Sequence, residues 1–135
     1  MFTIEMVREA HSKVKTGADF PAYIQDIKKI GVLSYEHFVN DGHINYQGRS
    51  GFVLPAPAKW PTVPVAPRAK KDDLQHAIKI QQQGITDYPT FCRQAAEAGV
   101  EKWIVDTQRM MCTYYDLSGH EMVAEPIPDA KVYSH

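Results

Sequence analysis

Apolar residues recur every three or four positions in two segments at the start of the chain. The first segment runs from about Thr3 to Lys15, and Gly17 follows it as a stop signal. The second begins at Asp19, with Pro21 in the first turn, where a helix tolerates proline. This spacing places the apolar side chains on one face of a helix. The sequence therefore predicts two amphipathic helices, each of which needs an apolar surface to pack against.

The period of the pattern changes to two after Val32, which is typical of β-strands. The dipeptide Asp41-Gly42 interrupts the alternation and predicts a hairpin with a two-residue loop. Such a loop places His37 opposite Tyr46 on the paired strands. The residues that then share one face are Tyr35, His37, Val39, Ile44 and Tyr46. We expect this mostly apolar face to be buried.

A proline-rich segment follows a short predicted strand at residues 52–54. Proline recurs every two to four positions between Pro55 and Pro67, and such a segment favours polyproline II geometry over a sheet ladder. We interpret it as a stiff connector packed by Trp60; a peptide ligand for an aromatic groove is the alternative. The predicted organisation is one domain over 1–135, with a first half at 1–54, a connector at 55–70 and a second half at 71–128.

The second half repeats the first at a constant offset, without a gap. Helix starts and turns recur in phase: Asp19, Pro21, Gly31 and Gly51 are matched by Asp87, Pro89, Gly99 and Gly119. The sequence therefore predicts an α+β domain formed by tandem duplication of an ααβββ unit, with helices packed on an antiparallel or mixed sheet.

The periodic patterns also predict which residues form the core and which lie on the opposite sheet face. The predicted core residues are Phe20, Ile24, Ile27, Tyr35, Phe91 and Trp103. The opposite face would carry Phe38, Ile104, Met111 and Tyr115 among polar neighbours. If the helices cover only one face, this second set forms an apolar patch, and self-association into a homodimer is the simplest way to cover it.

Composition and charge narrow the classes of partner. The chain has 135 residues and a formal net charge of −1, so it has no polycationic surface for nucleic acid or anionic lipid. Its apolar runs are far shorter than the about 20 residues that a membrane-spanning helix needs. The first residues also lack the pattern of a signal peptide. We therefore predict a cytoplasmic protein with no nucleic-acid partner and no membrane association.

The common catalytic and phosphate-binding motifs are missing from the sequence, which lowers the expectation of an enzyme. Cys92 and Cys112 form no cluster with zinc-ligand spacing, so neither a metal site nor a cofactor is predicted. His37 would lie on the buried hairpin face, where an imidazole needs a hydrogen-bond partner. The Tyr46 hydroxyl or a backbone carbonyl would supply one. His37 is then either a satisfied core histidine or a base that lines an internal pocket.

Two turns carry the other candidates for acid/base chemistry. His43 lies next to Asp41 after the predicted hairpin loop, and His120 lies beside Glu121 after a later turn. Each site places an imidazole close to a carboxylate on a loop, where functional residues concentrate. The alternative interpretation for both is a solvated surface pair without a function.

Several motifs together resemble the YbcV-like family of short bacterial and prophage proteins. They are Asp19-Phe20-Pro21-Ala22-Tyr23, Gly31-Val32, Tyr35, Asp41-Gly42 and Ser118-Gly119-His120-Glu121. Members of the family are sometimes labelled phage envelope proteins. The resemblance covers nearly the whole chain, but it implies no catalytic residues that could be transferred to these positions.

Three functions follow from these observations. The first is a non-enzymatic binding or accessory protein, associated with a prophage, whose partner is a small molecule or another protein. The second is a small enzyme with His37 and Tyr46, or His43 and Asp41, in a pocket between the halves. The third is a structural phage component. A deep apolar pocket with His37 in its wall would favour a ligand or a substrate, whereas a flat apolar patch would favour a protein partner.

Overall fold

The computed structural model describes residues 1–15 and 17–128, which form four α-helices and one six-stranded sheet. The helices are α1 (Ile4–His11), α2 (Phe20–Lys29), α3 (Lys71–Gln82) and α4 (Tyr88–Glu97). The strands are β1 (Ser34–Phe38), β2 (Ile44–Gln47), β3 (Val53–Ala56), β4 (Val100–Asp106), β5 (Met111–Asp116) and β6 (Glu121–Pro126). Two helices are followed by three strands, twice over. The predicted α+β fold is confirmed.

The six strands form one antiparallel sheet in the order β3-β2-β1-β4-β5-β6. The central pair, β1 with β4, joins the two halves. In this pair Glu36 lies opposite Ile104, which is also its equivalent in the sequence repeat. The two halves therefore meet through equivalent positions, as in an isologous dimer interface.

The backbone hydrogen bonds at the two ends of the β1–β4 pair are also related by the sequence repeat. The backbone N–H of Thr107 donates to the Leu33 carbonyl at 3.0 Å, and that of Val39 donates to the Glu101 carbonyl at 3.1 Å. Each bond is the equivalent of the other in the sequence repeat, since Val39 corresponds to Thr107 and Leu33 to Glu101. The halves share their element order and their junction, and their descent from a duplicated gene stays a prediction.

Capping residues explain where α1 and α4 begin. The Thr3 hydroxyl accepts a bond from the backbone N–H of Met6, and Asp87 caps α4 by accepting one from Thr90. The prediction that the first helix continues to Lys15 is wrong, because α1 ends at His11.

A close contact accounts for the early end of α1. The chain turns after this helix so that Gly17 packs against α3, where a Cβ atom would overlap the backbone carbonyl of Gln81. Only glycine fits this contact, and a continued α1 would not bring residue 17 to that position.

The helices cover one face of the sheet, and the core lies between them. Burial alternates along β1: Tyr35 and His37 are buried, while Glu36 and Phe38 are half-buried on the opposite face. Five of the six predicted core residues are buried, namely Ile24, Ile27, Tyr35, Phe91 and Trp103. The sixth, Phe20, is half-buried and packs against them. The predicted core is confirmed.

The hairpin register differs from the predicted one. The loop comprises the four residues 39–42, so that His37 pairs with Ile44 and Tyr35 pairs with Tyr46. The predicted pairing of His37 with Tyr46 is therefore wrong by two positions. A shift of two leaves each side chain on the same face, because side chains alternate with a period of two.

Local chemistry explains the longer loop. The Asp41 carboxylate accepts a hydrogen bond from the backbone N–H of His43 at 2.9 Å, and Gly42 adopts a φ of +78° that favours glycine. The N–H of Gly42 donates back to the Phe38 carbonyl at 3.0 Å. The Trp60 ring of the connector packs over Gly42, where a side chain would be crowded. These contacts stabilise a four-residue loop over a two-residue turn.

The edge strand β3 extends through Pro55 to Ala56, two residues beyond the predicted strand. The expectation that proline keeps this segment out of a ladder is wrong for Pro55, which pairs with Asn45. An edge strand tolerates proline, because its missing N–H can face away from the sheet.

The face away from the helices carries the predicted apolar patch. Phe38, Ile104, Met111 and Tyr115 are all half-buried there. The Lys102 ammonium forms an ion pair with Glu36 at 2.7 Å and lies 5.5 Å from the centre of the Phe38 ring. Part of the patch is thus covered by this charged pair.

No helix among the described residues is long and apolar enough to cross a membrane.

We predict that Ile24→Ala lowers the free energy of unfolding by about 2–5 kcal/mol, because Ile24 is fully buried on α2 and its truncation leaves a cavity. Leu117→Ala is the matched control, since this leucine is 49% exposed and should change stability by less than about 0.5 kcal/mol. Urea denaturation of both variants measures the difference. A loss below about 1 kcal/mol for Ile24→Ala would contradict the assigned packing of α2.

Candidate functional site

A cavity of about 620 Å³ lies between the helices and the buried face of the sheet. Both halves of the chain contribute to its wall, through α2 and β1 on one side and α3, α4, β4 and β5 on the other. Aromatic side chains dominate the lining, among them Tyr23, Tyr35, His37, Tyr88, Trp103 and Tyr114. This is an apolar pocket between the halves with a few polar groups, the usual character of a small-molecule site.

His37 lies in the wall of this cavity, on the central strand β1, with 2% of its surface exposed. Its imidazole stacks on the indole of Trp103, with ring centres 3.9 Å apart and planes within 12°. The stack follows from the β1–β4 register, which places these two residues directly opposite each other. Phe91 and Tyr114 pack around the indole on its other sides. The imidazole is therefore held by packing from both halves.

The hydrogen-bond partner of His37 is Tyr88, at the start of α4. The imidazole Nε2 bonds to the Tyr88 hydroxyl, and the tyrosine ring meets the imidazole edge-on with centres 5.5 Å apart. The expectation that Tyr46 fills this role is wrong. The observed register removes Tyr46 from the position opposite His37, and its hydroxyl lies 3.3 Å from that of Tyr23 instead.

Two nitrogen atoms in the cavity wall have no hydrogen bond of good geometry among the described residues. They are Nδ1 of His37 and Nε1 of Trp103, both buried. The Trp103 indole nevertheless interacts with the Tyr35 hydroxyl and acts to lower the pKa of Tyr35 that burial raises. The indole N–H is a donor only. When Tyr88 donates to Nε2 of His37, the proton of the neutral imidazole resides on Nδ1, which is then a donor as well. Both atoms are completely buried in the wall, so an acceptor in the cavity would reach them only if the surrounding side chains move.

Burial keeps the most buried polar groups of the cavity uncharged. It lowers the pKa of His37 well below the usual range, and the Lys59 ammonium lowers it further. Burial also raises the pKa of the Tyr88 hydroxyl and of the neighbouring Cys92 thiol, and it raises the pKa of Cys112 to about 12. At neutral pH the cavity therefore presents neutral donors and acceptors, with no thiolate or imidazolium.

The pair His43 and Asp41 lies outside the cavity. The two side chains are in contact, with Nδ1 of His43 2.6 Å from Oδ1 of Asp41. The His43 ring stacks on Phe38, with centres 4.2 Å apart, on the sheet face away from the helices. Burial acts to raise the pKa of the Asp41 carboxyl, but the hydrogen bonds from His43 outweigh it and lower that pKa. These contacts stabilise the hairpin loop.

The candidates His120 and Glu121 lie in the exposed turn between β5 and β6. The imidazole of His120 is 80% exposed and lies 3.6 Å from the carboxylate of Asp116 rather than beside Glu121. The Asp116 carboxylate also accepts the backbone N–H groups of Ser118 and His120 at 2.9 Å, which orders the turn. In the part of the chain that the structure describes, no three potential ligand side chains converge as a metal site.

Sequence reasoning missed Tyr88 as a partner of His37. The comparison of the two halves contained a signal, because Tyr88 corresponds to Phe20 and His37 corresponds to Val105 in the gapless repeat. Each polar group thus occurs in one half only. The polar pair in the cavity wall is built from positions at which the halves differ, which is where an asymmetric site can arise in a repeated scaffold.

The residues that form this cavity fall almost entirely within a segment shared with other proteins. Residues 8–126 match a family model described as a protein of unknown function, DUF1398. The chain belongs to this family. A comparison with curated proteins gives no match. Membership in the DUF1398 family therefore assigns no activity, and the geometry of the cavity carries the functional argument.

We predict that stability decreases below about pH 6.5 in a manner that depends on His37. Because burial lowers the pKa of His37 in the folded protein, the unfolded chain takes up a proton that the folded chain does not. The free energy of unfolding should then fall by up to about 1.4 kcal/mol per pH unit from this group. His11, whose pKa burial also lowers, acts in the same direction and should leave a residual slope.

Urea denaturation between pH 7.5 and 5.5, for the wild type, His37→Gln and His76→Gln, provides the measurement. The slope should decrease in His37→Gln and persist in the control His76→Gln, since His76 is exposed on α3. Equal slopes in all three proteins would show that His37 does not titrate as a buried group.

Proposed function

We propose that this protein binds a small planar molecule, largely apolar, that carries a hydrogen-bond acceptor. The observation that supports the proposal is the pair of buried nitrogen atoms without a hydrogen bond of good geometry among the described residues, Nε1 of Trp103 and Nδ1 of His37, in the wall of an aromatic cavity. Buried donors without acceptors destabilise a folded protein, so each needs an explanation. A bound ligand that supplies an acceptor explains both if the surrounding side chains move to admit it.

The size and lining of the cavity support a planar ligand. A volume of about 620 Å³ falls within the range of cavities that bind small molecules. The Tyr35 and Tyr114 rings line the cavity beside the His37–Trp103 stack, so a flat molecule would pack against aromatic walls. The exposed lining residues Lys15 and Pro128 mark the side on which the cavity opens to solvent.

A small enzyme is the second candidate function. The Tyr88 hydroxyl interacts with both the Cys92 thiol and the His37 imidazole, and such a chain of groups could transfer a proton. Burial lowers the pKa of His37, however, and raises the pKa of Tyr88 and Cys92, which makes the first a weak base and the others weak acids. This electrostatic character favours binding over catalysis.

The biological setting that we infer comes from the sequence alone. The YbcV-like resemblance supports a prophage-associated binding or accessory protein, and a structural phage component is the remaining alternative. The cytoplasmic location and self-association through the open sheet face also stay predictions. Each is compatible with ligand binding in the cavity.

A pair of bicyclic probes tests the proposed ligand chemistry. Chromone carries a ring carbonyl, whereas naphthalene has a similar shape without an acceptor. We predict that the wild type binds chromone more tightly by about 0.5–1.5 kcal/mol, the usual contribution of a neutral hydrogen bond. Isothermal titration calorimetry measures both affinities.

Replacement of the two tryptophans then locates the donor. Trp103→Phe removes the indole N–H and should abolish the preference for chromone. Trp60→Phe is the matched control, because Trp60 packs on Tyr88 from outside the cavity and should leave the preference unchanged. If neither probe binds, or if the wild type binds both equally, the proposed function is wrong.

A further inference from the structure

A second cavity, of about 230 Å³, adjoins the first. It lies between α1, β2 and the start of the connector, and His11 and Ile44 line both cavities. The two spaces therefore share a wall, but their chemistry differs. Whereas the main cavity is mostly aromatic, with Lys15 and Glu125 as its charged lining residues, the second is lined by the two cations Arg8 and Lys59.

These two cations have no carboxylate partner among the described residues. The Lys59 ammonium donates to the backbone carbonyl of Gly42 at 2.8 Å, and neither it nor the Arg8 guanidinium takes part in an ion pair there. The nearby carboxylate of Asp41 is bonded to His43. Two like charges thus line one small cavity, and the attraction of Asp41 for Lys59 offsets them only in part, an arrangement that an anion would stabilise.

The positive charge extends toward the main cavity. Burial lowers the pKa of Lys59 and the Arg8 guanidinium lowers it further, whereas Cys92 and the Asp41 carboxylate act to raise it. The Lys59 ammonium in turn lowers the pKa of both His37 and His11, after burial in each case. The Lys59 ammonium therefore contributes positive potential at His37 and His11 in the wall of the main cavity. The Glu125 carboxylate, which also lines the main cavity, contributes to raising the pKa of Cys112.

We infer that the ligand is a planar aromatic carboxylate whose rings lie in the main cavity and whose acid group reaches Lys59 and Arg8. The acid group reaches them when the His11 ring, which packs edge-on against Tyr23 and Tyr88 in the shared wall, turns aside. This inference rests on the proposed function and specifies the chemical class of the ligand. The aromatic body matches the mostly aromatic interior. The carboxylate matches the two unpaired cations, because a charge-assisted hydrogen bond is about twice as strong as a neutral one.

Chromone-2-carboxylate and chromone-2-carboxamide form the test pair, since they share ring, carbonyl and size and differ in charge. Calorimetry on the wild type should show the carboxylate bound at least about tenfold more tightly than the amide, the ratio expected for a hydrogen bond to a charged group. Raising the salt concentration should weaken binding of the carboxylate more than binding of the amide.

Replacement of single cationic residues shows which of them binds the carboxylate. Lys59→Met should remove the preference for the carboxylate, and Lys59→Arg, which keeps the charge, should retain it. Arg8→Met should reduce the preference in part. Lys15→Met is the control, because Lys15 is a cation at the open side of the main cavity, and this variant should keep the preference for the carboxylate. A thermal melt of each variant confirms that it is folded.

The outcomes separate this inference from the proposed function. Equal binding of amide and carboxylate by the wild type would overturn the inference while the proposed function stands. A preference that survives Lys59→Met and Arg8→Met but disappears in Lys15→Met would also overturn it, because the acid would then lie at the opening. If chromone and both derivatives fail to bind, the proposed function itself is wrong, and the inference with it.

Discussion

The pairing of β1 with β4 is the interaction on which the rest of this structure depends. It joins two three-stranded halves into one six-stranded sheet, with equivalent positions Glu36 and Ile104 at its centre. Without it each half would expose a strand edge and one side of an aromatic cluster to water. The same pairing places His37 opposite Trp103 and brings α2 and α4 to opposite sides of one cavity. The junction of the halves and the candidate site are therefore one feature.

The cavity combines tight packing with incomplete hydrogen bonding. Stacking on Trp103 and a bond to Tyr88 hold the His37 imidazole, yet one nitrogen of each stacked ring lacks a hydrogen bond of good geometry among the described residues. A partly satisfied polar group in a low-dielectric interior lowers stability, and an apolar residue would be the more stable choice. Val105 occupies the equivalent position in the second half. A fold that tolerates Val105 at the equivalent position does not need a histidine at position 37 for its stability. A polar residue there is consistent with the proposed binding site.

Charge is distributed around the cavity according to the cost of desolvation. Burial keeps the His37 imidazole and the Tyr88 hydroxyl of the interior neutral, whereas the cations Lys59 and Arg8 line the adjoining space, where each keeps contact with solvent. A ligand with an apolar body and one charged end would match both environments.

The sequence by itself determined the elements, the repeat and the faces. Helical spacing placed Ile24 and Ile27 toward the core, and alternation placed Tyr35 and His37 on the buried face, even though the predicted hairpin register was wrong by two. These properties depend on local periodicity, which a register shift of two does not change. Only the tertiary structure decided the partner of His37, because Tyr88 lies 51 residues away and reaches it through the packing of α4 on the sheet. The convergence of Lys59 and Arg8 on one cavity was likewise decided there, since electrostatic contacts between distant segments leave no periodic pattern in the chain.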